Sequence, residues 1–215
     1  MRVRHVTVCC VVLGMCLAGC AQGPQAPPGW KLACEMDFKG VDKVPETWEV
    51  IGGTAKIVDG KLVLTTEQEF DAQLVLKEPR LPTSVRLEVD ACLEGETVCD
   101  LSPYLNGDQT GYQSGYLLQF GAAENVENRL RVAGEIADDA KANTTMFVTP
   151  GKMHHVVAEN DCGKLRLIVD GTEILSYTDT QPLQGAGHDQ IGFYTWNCTL
   201  KIEKITIFTK IDAPK

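Results

Sequence analysis

The sequence predicts an all-β domain in which two antiparallel sheets pack face to face as a sandwich. Polar and apolar residues alternate along most patterned segments, for example from Val85 to Ala91 and from Lys164 to Val169. A period of two is typical of strands that bury only one face. Turn signals separate the many short strand candidates at intervals of about 8–12 residues, which is the spacing expected of a sandwich.

Two Asp-Gly turns predict which neighbouring strands pair. Asp59-Gly60 and Asp170-Gly171 are each flanked by strand-like stretches. Asp-Gly is favoured where both central residues of a two-residue hairpin turn have positive φ. The second turn places Leu167 opposite Ile174, so the apolar residues of this hairpin share one face, as a half-buried pair of strands requires.

The remaining strands are predicted from alternation and turn residues. Further strand candidates are residues 47–51, 72–77, 98–105, 113–120, 145–149, 153–159, 189–196 and 199–209. The segment from Glu124 to Ala142 has the weakest pattern, because its Ala, Glu and Asp residues also allow a short helix. Here we favour a strand at Leu130-Arg131-Val132.

The N-terminal segment has the pattern of an export signal followed by a tether. Two arginines precede an apolar stretch from Val6 to Leu17, and residues 1–19 are therefore predicted to be a lipoprotein signal peptide. An apolar stretch of about a dozen residues is shorter than the roughly 20 that a membrane-spanning helix needs. Residues 20–29 are rich in Pro and Gly and are predicted to be a flexible tether. Residues 30–215 remain as the sandwich domain.

Leu17-Ala18-Gly19-Cys20 resembles the lipobox of bacterial lipoproteins. The resemblance implies cleavage before Cys20 and acyl chains on its thiol. We therefore expect an exported protein of the bacterial cell envelope, on its periplasmic or surface face, held to the membrane by the lipid anchor alone. The alternative is an ordinary signal peptide with a chance cysteine at its end.

The charge pattern argues against a nucleic acid as partner. The chain has 20 basic and 29 acidic residues and a net charge of −9. Nucleic-acid-binding domains carry clusters of Lys and Arg on one face, and the sequence contains no such cluster.

Five cysteines remain in the predicted domain: Cys34, Cys92, Cys99, Cys162 and Cys198. An exported domain can keep disulfides, and Cys92 and Cys99 flank a segment that reads as a turn, so a disulfide between them is expected. Cys34 alternates in phase with Leu32 and Met36 and is expected to be a free, buried thiol. No metal site is expected, because the spacings contain no Cys-x-x-Cys pair.

The second half of the chain has a distinctive order of motifs. Residues 150–157 lead to a strand and an Asp-Gly turn over 165–171, and residues 187–196 precede a last strand that ends at Phe208. This order resembles the concanavalin A-like jelly rolls of the laminin-G type. The resemblance implies an all-β fold with two antiparallel sheets, a jelly-roll β-sandwich.

The first half resembles a related group. Phe38 to Trp48, followed by Val58 to Leu62, is similar to domains described as 3-keto-disaccharide hydrolase-like. That group usually carries an Asn-Ser-Gly strand followed by an arginine. Here the nearest segment is Gln113-Ser114-Gly115-Tyr116, which lacks that arginine, so the resemblance leaves the enzymatic activity open, with a binding role favoured.

One acidic segment approaches a catalytic motif. Glu88, Asp90 and Glu94 come close to the Glu-x-Asp-x-x-Glu signature of jelly-roll glucanases, but Glu94 lies one residue too far along. Glu88 and Asp90 would lie about 6.6 Å apart on one strand face, whereas retaining glycosidases hold two carboxyl groups about 5–5.5 Å apart across the scissile bond. We interpret the segment as a solvated strand face, and catalytic residues stay unknown.

The strand over residues 189–196 is the best candidate for a binding site. If Ile191 and Phe193 face the core, Tyr194 and Trp196 project from the opposite, concave face. An aromatic ring with a polar edge suits stacking on a sugar. The alternative is that Trp196 fills the core and Tyr194 covers it. The residues predicted to supply further contacts are Gln119, Arg131, Glu135, Tyr104 and Asn106.

Two further motifs are weaker. Asn106-Gly107-Asp108 is a candidate calcium loop, because some laminin-G domains bind calcium, although a plain turn is favoured and no other cofactor is expected. His154 and His155 are adjacent in a predicted strand and point to opposite faces, so both cannot bind one ion.

Three functions remain open. The favoured one is a tethered module that binds carbohydrate, such as a cell-envelope glycan, or serves in adhesion. The second is a glycan-processing enzyme similar to the 3-keto-disaccharide hydrolases. The third is a structural envelope protein without a ligand. A convergent pair of acids would favour the enzyme, whereas aromatic and amide side chains on one face would favour binding.

Overall fold

The computed structural model describes residues 25–66 and 71–211, so the predicted signal peptide and Cys20 lie outside the described residues. The described residues form sixteen strands: β1 (Trp30–Asp37), β2 (Trp48–Ile51), β3 (Thr54–Val58), β4 (Lys61–Thr65), β5 (Asp71–Leu76), β6 (Val85–Glu94), β7 (Ser102–Gly107), β8 (Tyr116–Gly121), β9 (Glu127–Val132), β10 (Glu135–Ile136), β11 (Lys141–Ala142), β12 (His154–Asp161), β13 (Lys164–Val169), β14 (Thr172–Thr178), β15 (Gln190–Trp196) and β16 (Thr199–Lys210). A 3₁₀ turn, Tyr112–Ser114, and a short helical turn, Ala122–Asn125, complete the secondary structure.

The strands form two antiparallel sheets. The nine-stranded sheet has the order β11-β14-β13-β12-β6-β16-β4-β3, with β1 also paired to β16, and the seven-stranded sheet has the order β10-β9-β8-β7-β15-β5-β2. No helix within residues 25–66 and 71–211 has the length and apolar character to cross a membrane.

The core lies between the two sheets. In β6 the residues Val85, Leu87 and Val89 are at most 1% exposed and alternate with partly exposed polar residues. From the seven-stranded sheet, Leu118 and Phe193 join the same buried cluster. The predicted two-sheet sandwich is therefore confirmed, and each sheet turns its other face outward.

Both Asp-Gly hairpins form as predicted, with positive φ at each turn residue. In the second hairpin, however, a bulge between Leu167 and Ile168 shifts the register, so that Leu167 pairs with Leu175 rather than with Ile174. Ile174 and Leu175 are both 1% exposed. The bulge lets two successive residues enter the core, which strict alternation does not allow.

Residues 123–149 differ in part from the sequence expectation. The favoured strand at residues 130–132 is confirmed as part of β9, but residues 145–149 form a loop rather than a strand. The side chain of Asn125 holds this loop, since its Oδ1 accepts a hydrogen bond from the Val148 N–H at 2.9 Å and its Nδ2 donates to the Val148 carbonyl at 2.8 Å. Side-chain bonds therefore replace a sheet ladder here.

The predicted Cys92–Cys99 disulfide is wrong, because both residues are free thiols. Alternation in β6 turns Cys92 to the outer face of the nine-stranded sheet, where it lies beside Lys201. Cys99 precedes β7 of the other sheet, and its Sγ lies 2.9 Å from Asp100 Oδ2. The two thiols thus belong to different faces of the molecule.

The prediction for Cys34 is confirmed only in part. Cys34 is free but only half-buried, and Leu32 is 45% exposed. A bulge between Leu32 and Cys34, against β16, breaks the alternation that placed both side chains on the core face.

Candidate functional site: a groove on the outer face of the seven-stranded sheet

Strand β15 directs its side chains to two different environments. Ile191 and Phe193 are at most 1% exposed and belong to the core. Tyr194 is 8% exposed and Trp196 is 42% exposed. The indole of Trp196 is therefore outside the core, and the alternative in which it fills the core is wrong.

Tyr194 and Trp196 line a groove of about 300 Å³ on the outer face of the seven-stranded sheet, which we call the aromatic groove. Its remaining lining residues come from β8, β9 and the adjoining loops: Cys99, Asp100, Tyr112, Leu117, Gln119, Ala123, Glu124, Arg129 and Arg131.

An aromatic pair forms one side of the groove. The rings of Tyr112 and Tyr194 meet edge to face, with centroids 4.8 Å apart and an interplanar angle of 70°. This geometry is favoured for aromatic pairs. Beneath them, Val75 and Leu117 form a small apolar cluster with Tyr194. Burial raises the pKa of Tyr194, so its hydroxyl stays protonated at neutral pH.

A hydrogen-bond network forms the polar side. Arg129 and Arg131 lie two residues apart in β9 and therefore share a face. Both donate from Nε to Gln119 Oε1, at 2.8 and 3.3 Å. The other end of the same amide, Gln119 Nε2, donates to Asp100 Oδ1 at 2.5 Å. The network therefore runs from a carboxylate through one amide to two guanidinium groups.

Asp100 is the buried end of this network. It is 4% exposed. Burial raises the pKa of its carboxyl group, and hydrogen bonds from Cys99, Gln119 and Ser102 offset only part of that rise. Both oxygens are engaged, since Cys99 Sγ lies 2.9 Å from Oδ2 and Ser102 Oγ lies 3.2 Å from Oδ1.

A left-handed turn forms one rim of the groove. Ala123, Glu124 and Asn125 have φ values of 49°, 60° and 65°, a region that residues other than glycine rarely adopt. The turn begins at Gly121, where φ is 78° and an added Cβ would meet Asn125 and Val148. Glycine is required there, and the turn leaves Glu124 exposed at the rim.

No family model matches this chain, and no curated protein sequence matches it. Solved structures do match. The endo-β-1,3(4)-glucanase SCLam of family GH16 has a TM-score of 0.62 at 11% identity over 88% of this chain and 95% of that chain. The carbohydrate-binding module CBM66 from Bacillus subtilis has a TM-score of 0.58 at 15% identity over 74% of this chain and 94% of that chain.

A sialidase also matches, with a TM-score of 0.61 at 14% identity over 82% of this chain, although the match spans only 18% of the sialidase. At these identities the likeness concerns the fold alone. The chain has a jelly-roll fold. The two antiparallel sheets and the agreement with these structures confirm the jelly-roll β-sandwich that the motif order implied.

The jelly roll brings four of the seven predicted ligand-binding residues together. Tyr194, Trp196, Gln119 and Arg131 all line the aromatic groove. They come from β8, β9 and β15, which are separated in sequence but lie within one sheet.

Three predicted residues lie elsewhere. Tyr104 is 0% exposed and is buried in the same small cluster as Tyr194, so it cannot reach a ligand. Asn106 is 1% exposed because its side chain binds Asn160 and two backbone carbonyls. Glu135 is exposed in β10, beyond a turn at Ala133-Gly134 that carries it away from the groove.

The candidate calcium loop at residues 106–108 is not a separate loop, because Asn106 and Gly107 end β7 and the turn follows between Asp108 and Gly111. Asp108 Oδ1 accepts hydrogen bonds from the backbone N–H and the hydroxyl of Thr110, at 2.7 and 2.5 Å. Within residues 25–66 and 71–211, no three His, Cys, Asp or Glu side chains lie close enough together to hold a metal ion.

The acidic segment and the histidine pair lie away from the groove. Glu88 binds Arg86 at 2.6 Å, and Asp90 lies 2.7 Å from His155 Nδ1, on the outer face of the nine-stranded sheet. His154 is buried, and its Nδ1 lies 2.9 Å from Asp170. The two histidines thus point to opposite faces, as predicted.

Several residues of the groove were not predicted from the sequence. Arg129 precedes Arg131 by two residues, so the same period that selected Arg131 could have found it. Asp100 and Tyr112 come from loops, and only the folded sheet brings them together. Glu124 depends on the left-handed turn, for which Gly121 is the only local signal.

Proposed function

We propose that the aromatic groove binds a carbohydrate and that this domain is a carbohydrate-binding module. The observation that carries the proposal is the indole of Trp196, which is 42% exposed beside a groove with a polar wall. Ligand sites combine aromatic surface with a few fixed polar groups. A sugar ring presents an apolar face for stacking and hydroxyl groups for hydrogen bonding, and it suits both parts of this groove.

The polar wall supports the proposal because its groups are held in place before a ligand arrives. The Gln119 amide is fixed at both ends, by Asp100 on one side and by Arg129 and Arg131 on the other. Side chains that are already ordered lose little conformational entropy when a ligand binds. The free donors of the two arginines can then serve sugar hydroxyl groups.

An enzymatic role has less support. Glycosidases use two carboxyl groups that flank the scissile bond. In the groove, both oxygens of Asp100 already accept hydrogen bonds, and Glu124 is the other carboxylate. The similar solved structures include a binding module and a glucanase, so the fold alone does not decide between the two functions.

The test compares glycan-array binding of the purified protein with that of the Trp196→Ala variant. We expect the wild type to bind at least one oligosaccharide and the variant to lose about 10- to 100-fold in affinity, the effect of removing a central aromatic contact. Because Trp196 is outside the core, the free energy of unfolding should change by only about 0.5 kcal/mol.

Leu32→Ala is the matched control, because Leu32 is 45% exposed and lies on the nine-stranded sheet. It should keep full binding. Equal binding by Trp196→Ala and wild type would mean that the aromatic groove is not the carbohydrate-binding site. A loss of several kcal/mol in stability would mean that Trp196 acts in folding.

We also propose that the domain is exported and lipid-anchored through Cys20. The support is the sequence pattern of residues 1–20, a basic start, a short apolar stretch and Leu17-Ala18-Gly19-Cys20. A module tethered in this way would hold glycans of the envelope or its surroundings close to the membrane.

A further inference from the structure

One arginine in the described part of the chain differs from the others. Residues 25–66 and 71–211 contain five arginines. Four of them have a carboxylate within 4 Å: Arg80, Arg86, Arg129 and Arg166. Among the described residues Arg131 has none, and it is the arginine that lines the aromatic groove without a countercharge.

The protein holds Arg131 with neutral acceptors instead. Its Nε donates to Gln119 Oε1 at 3.3 Å, and its Nη1 donates to the Gly134 carbonyl at 2.8 Å. A guanidinium has five N–H donors, so these two bonds leave three for a ligand. The group is fixed in orientation while its charge stays unpaired.

The carboxylates of the groove do not take up this charge. Asp100 is buried, and its oxygens accept bonds from Cys99, Ser102 and Gln119. Glu124 is exposed at the rim and lies more than 4 Å from any described basic group. A half-buried guanidinium without a counterion favours an anion, because charge-assisted hydrogen bonds are the stronger ones.

From this geometry we propose that the groove recognises an acidic sugar and that Arg131 binds its carboxylate. The inference rests on the proposed carbohydrate-binding function. In this arrangement the sugar ring stacks on Trp196 and the planar carboxylate meets the planar guanidinium of Arg131, a pairing that a lysine ammonium cannot reproduce. The carboxylate can come from a uronic acid or from a sialic acid, which share this chemistry.

The test is calorimetric titration of the full purified protein with matched pairs of sugars. The first pair is tetragalacturonate and its methyl ester, and the second is sialyllactose and its methyl ester. We expect at least one acidic member to bind about 10-fold or more tightly than its neutral counterpart, and the acid that does so identifies the source. Higher salt should weaken this preference, because ions screen exposed charges.

Three variants assign the preference to a residue. Arg131→Gln should remove the preference, with a loss of about 10- to 100-fold for the acidic sugar. Arg131→Lys should recover only part of it, so it tests the planar contact even if the glutamine variant folds poorly. Arg80→Gln is the control, because Arg80 binds Asp189 away from the groove and should bind like the wild type.

The failures are distinguishable. Equal binding of the acidic and neutral members, together with binding to neutral glycans on the array, would overturn the inference and leave the proposed function standing. An acidic preference that persists in Arg131→Gln would overturn the assignment to Arg131. No binding to any of these sugars or to the array would overturn both proposals.

Discussion

Gln119 connects the buried carboxylate of Asp100 to the two arginines of the groove. Its Nε2 donates at one end while its Oε1 accepts at the other, so both ends of one amide are used. Replacing it with a side chain of the wrong length would leave Asp100 with fewer donors and release the arginines. The polar wall therefore depends on a residue that is itself only 2% exposed.

The buried hydroxyl of Tyr104 predicts the effect of a single substitution on stability. It is 0% exposed, and its hydroxyl has no hydrogen-bond partner among the described residues. An unpaired buried hydroxyl costs free energy. Tyr104→Phe should therefore raise the free energy of unfolding by about 1 kcal/mol, as measured by chemical denaturation.

The same variant tests whether Tyr104 belongs to the site. Since its side chain is fully buried and does not line the groove, Tyr104→Phe should leave glycan binding unchanged. A loss of stability would mean that the hydroxyl has a hydrogen-bond partner. A loss of glycan binding would mean that Tyr104 contributes to the binding site.

At the scale of elements, the turn between β13 and β14 is held by one carboxylate. Asp170 accepts hydrogen bonds from Lys152 at 2.7 Å, from His154 at 2.9 Å and from the His155 N–H at 3.0 Å. Burial alone would raise the pKa of Asp170, but these bonds outweigh it and lower the pKa to about 2.

This lowered pKa predicts a pH-dependent contribution to stability. It is fully present above the unfolded value of 3.8 and is lost as pH falls through about 2. Asp170→Asn, which tolerates the positive φ of the turn, should cost about 1 kcal/mol at pH 7, less than the full pKa shift implies, because solvent screens the exposed carboxylate. In denaturation experiments the difference from the wild type should shrink toward pH 2.

Asp59→Asn is the matched control for that prediction. Asp59 occupies the same position of the other Asp-Gly turn, with a φ of 51°, and its side chain forms no hydrogen bond or salt bridge within the described residues. It should change stability little at any pH. A pH-independent cost at Asp170 would mean that the turn conformation, rather than the carboxylate, is what matters.

The strands that could be predicted from the sequence are those in which polar and apolar residues alternate without interruption. Alternation in β6 and the Asp-Gly turns predicted both strands and pairing, because one buried face constrains every second residue. The bulges at Leu32 and Leu167 could not be predicted, since an inserted residue changes the phase without a local signal. The loop at 145–149 has strand-like residues but pairs through Asn125 instead.

At the scale of the whole molecule, the outer faces of the two sheets have different characters. The nine-stranded sheet carries linked ion pairs, in which Glu159 binds both Arg86 and Arg166 at 2.7 and 2.6 Å. The seven-stranded sheet carries the aromatic groove with the unpaired charge of Arg131. The arginines on the outer face of the nine-stranded sheet are therefore paired with carboxylates, whereas Arg131 on the seven-stranded sheet can pair with a ligand.

Strand phase and the order of strands in the sheet explain which residues of the groove could be predicted from the sequence. Tyr194 and Trp196 share a strand, so their common face follows from the period of two. That Gln119 and Arg131 join them depends on the order β9-β8-β7-β15 within the sheet. Asn106 and Glu135 were misplaced because loop contacts and a turn, rather than strand phase, decide where they lie.

The proposed anchor predicts the mass of the mature protein. If Cys20 carries acyl chains, the native protein should partition into detergent, and mass spectrometry should show lipid mass on a chain that begins at Cys20. A Cys20→Ser variant should lose both properties. Recovery of an unmodified native chain that starts at another residue would contradict the proposal.

Binding of a glycan in the aromatic groove can be followed residue by residue in an NMR titration with an oligosaccharide selected from the array. We expect the backbone amide shifts to change at Gln119, Arg131 and Trp196, while those around His155 on the nine-stranded sheet stay constant. The chemical shift of the Trp196 indole N–H should change over the same range of sugar concentration and give the same dissociation constant as the backbone amides. Shifts that cluster on the nine-stranded sheet and spare the groove would show that the glycan binds elsewhere and that the groove is not the site.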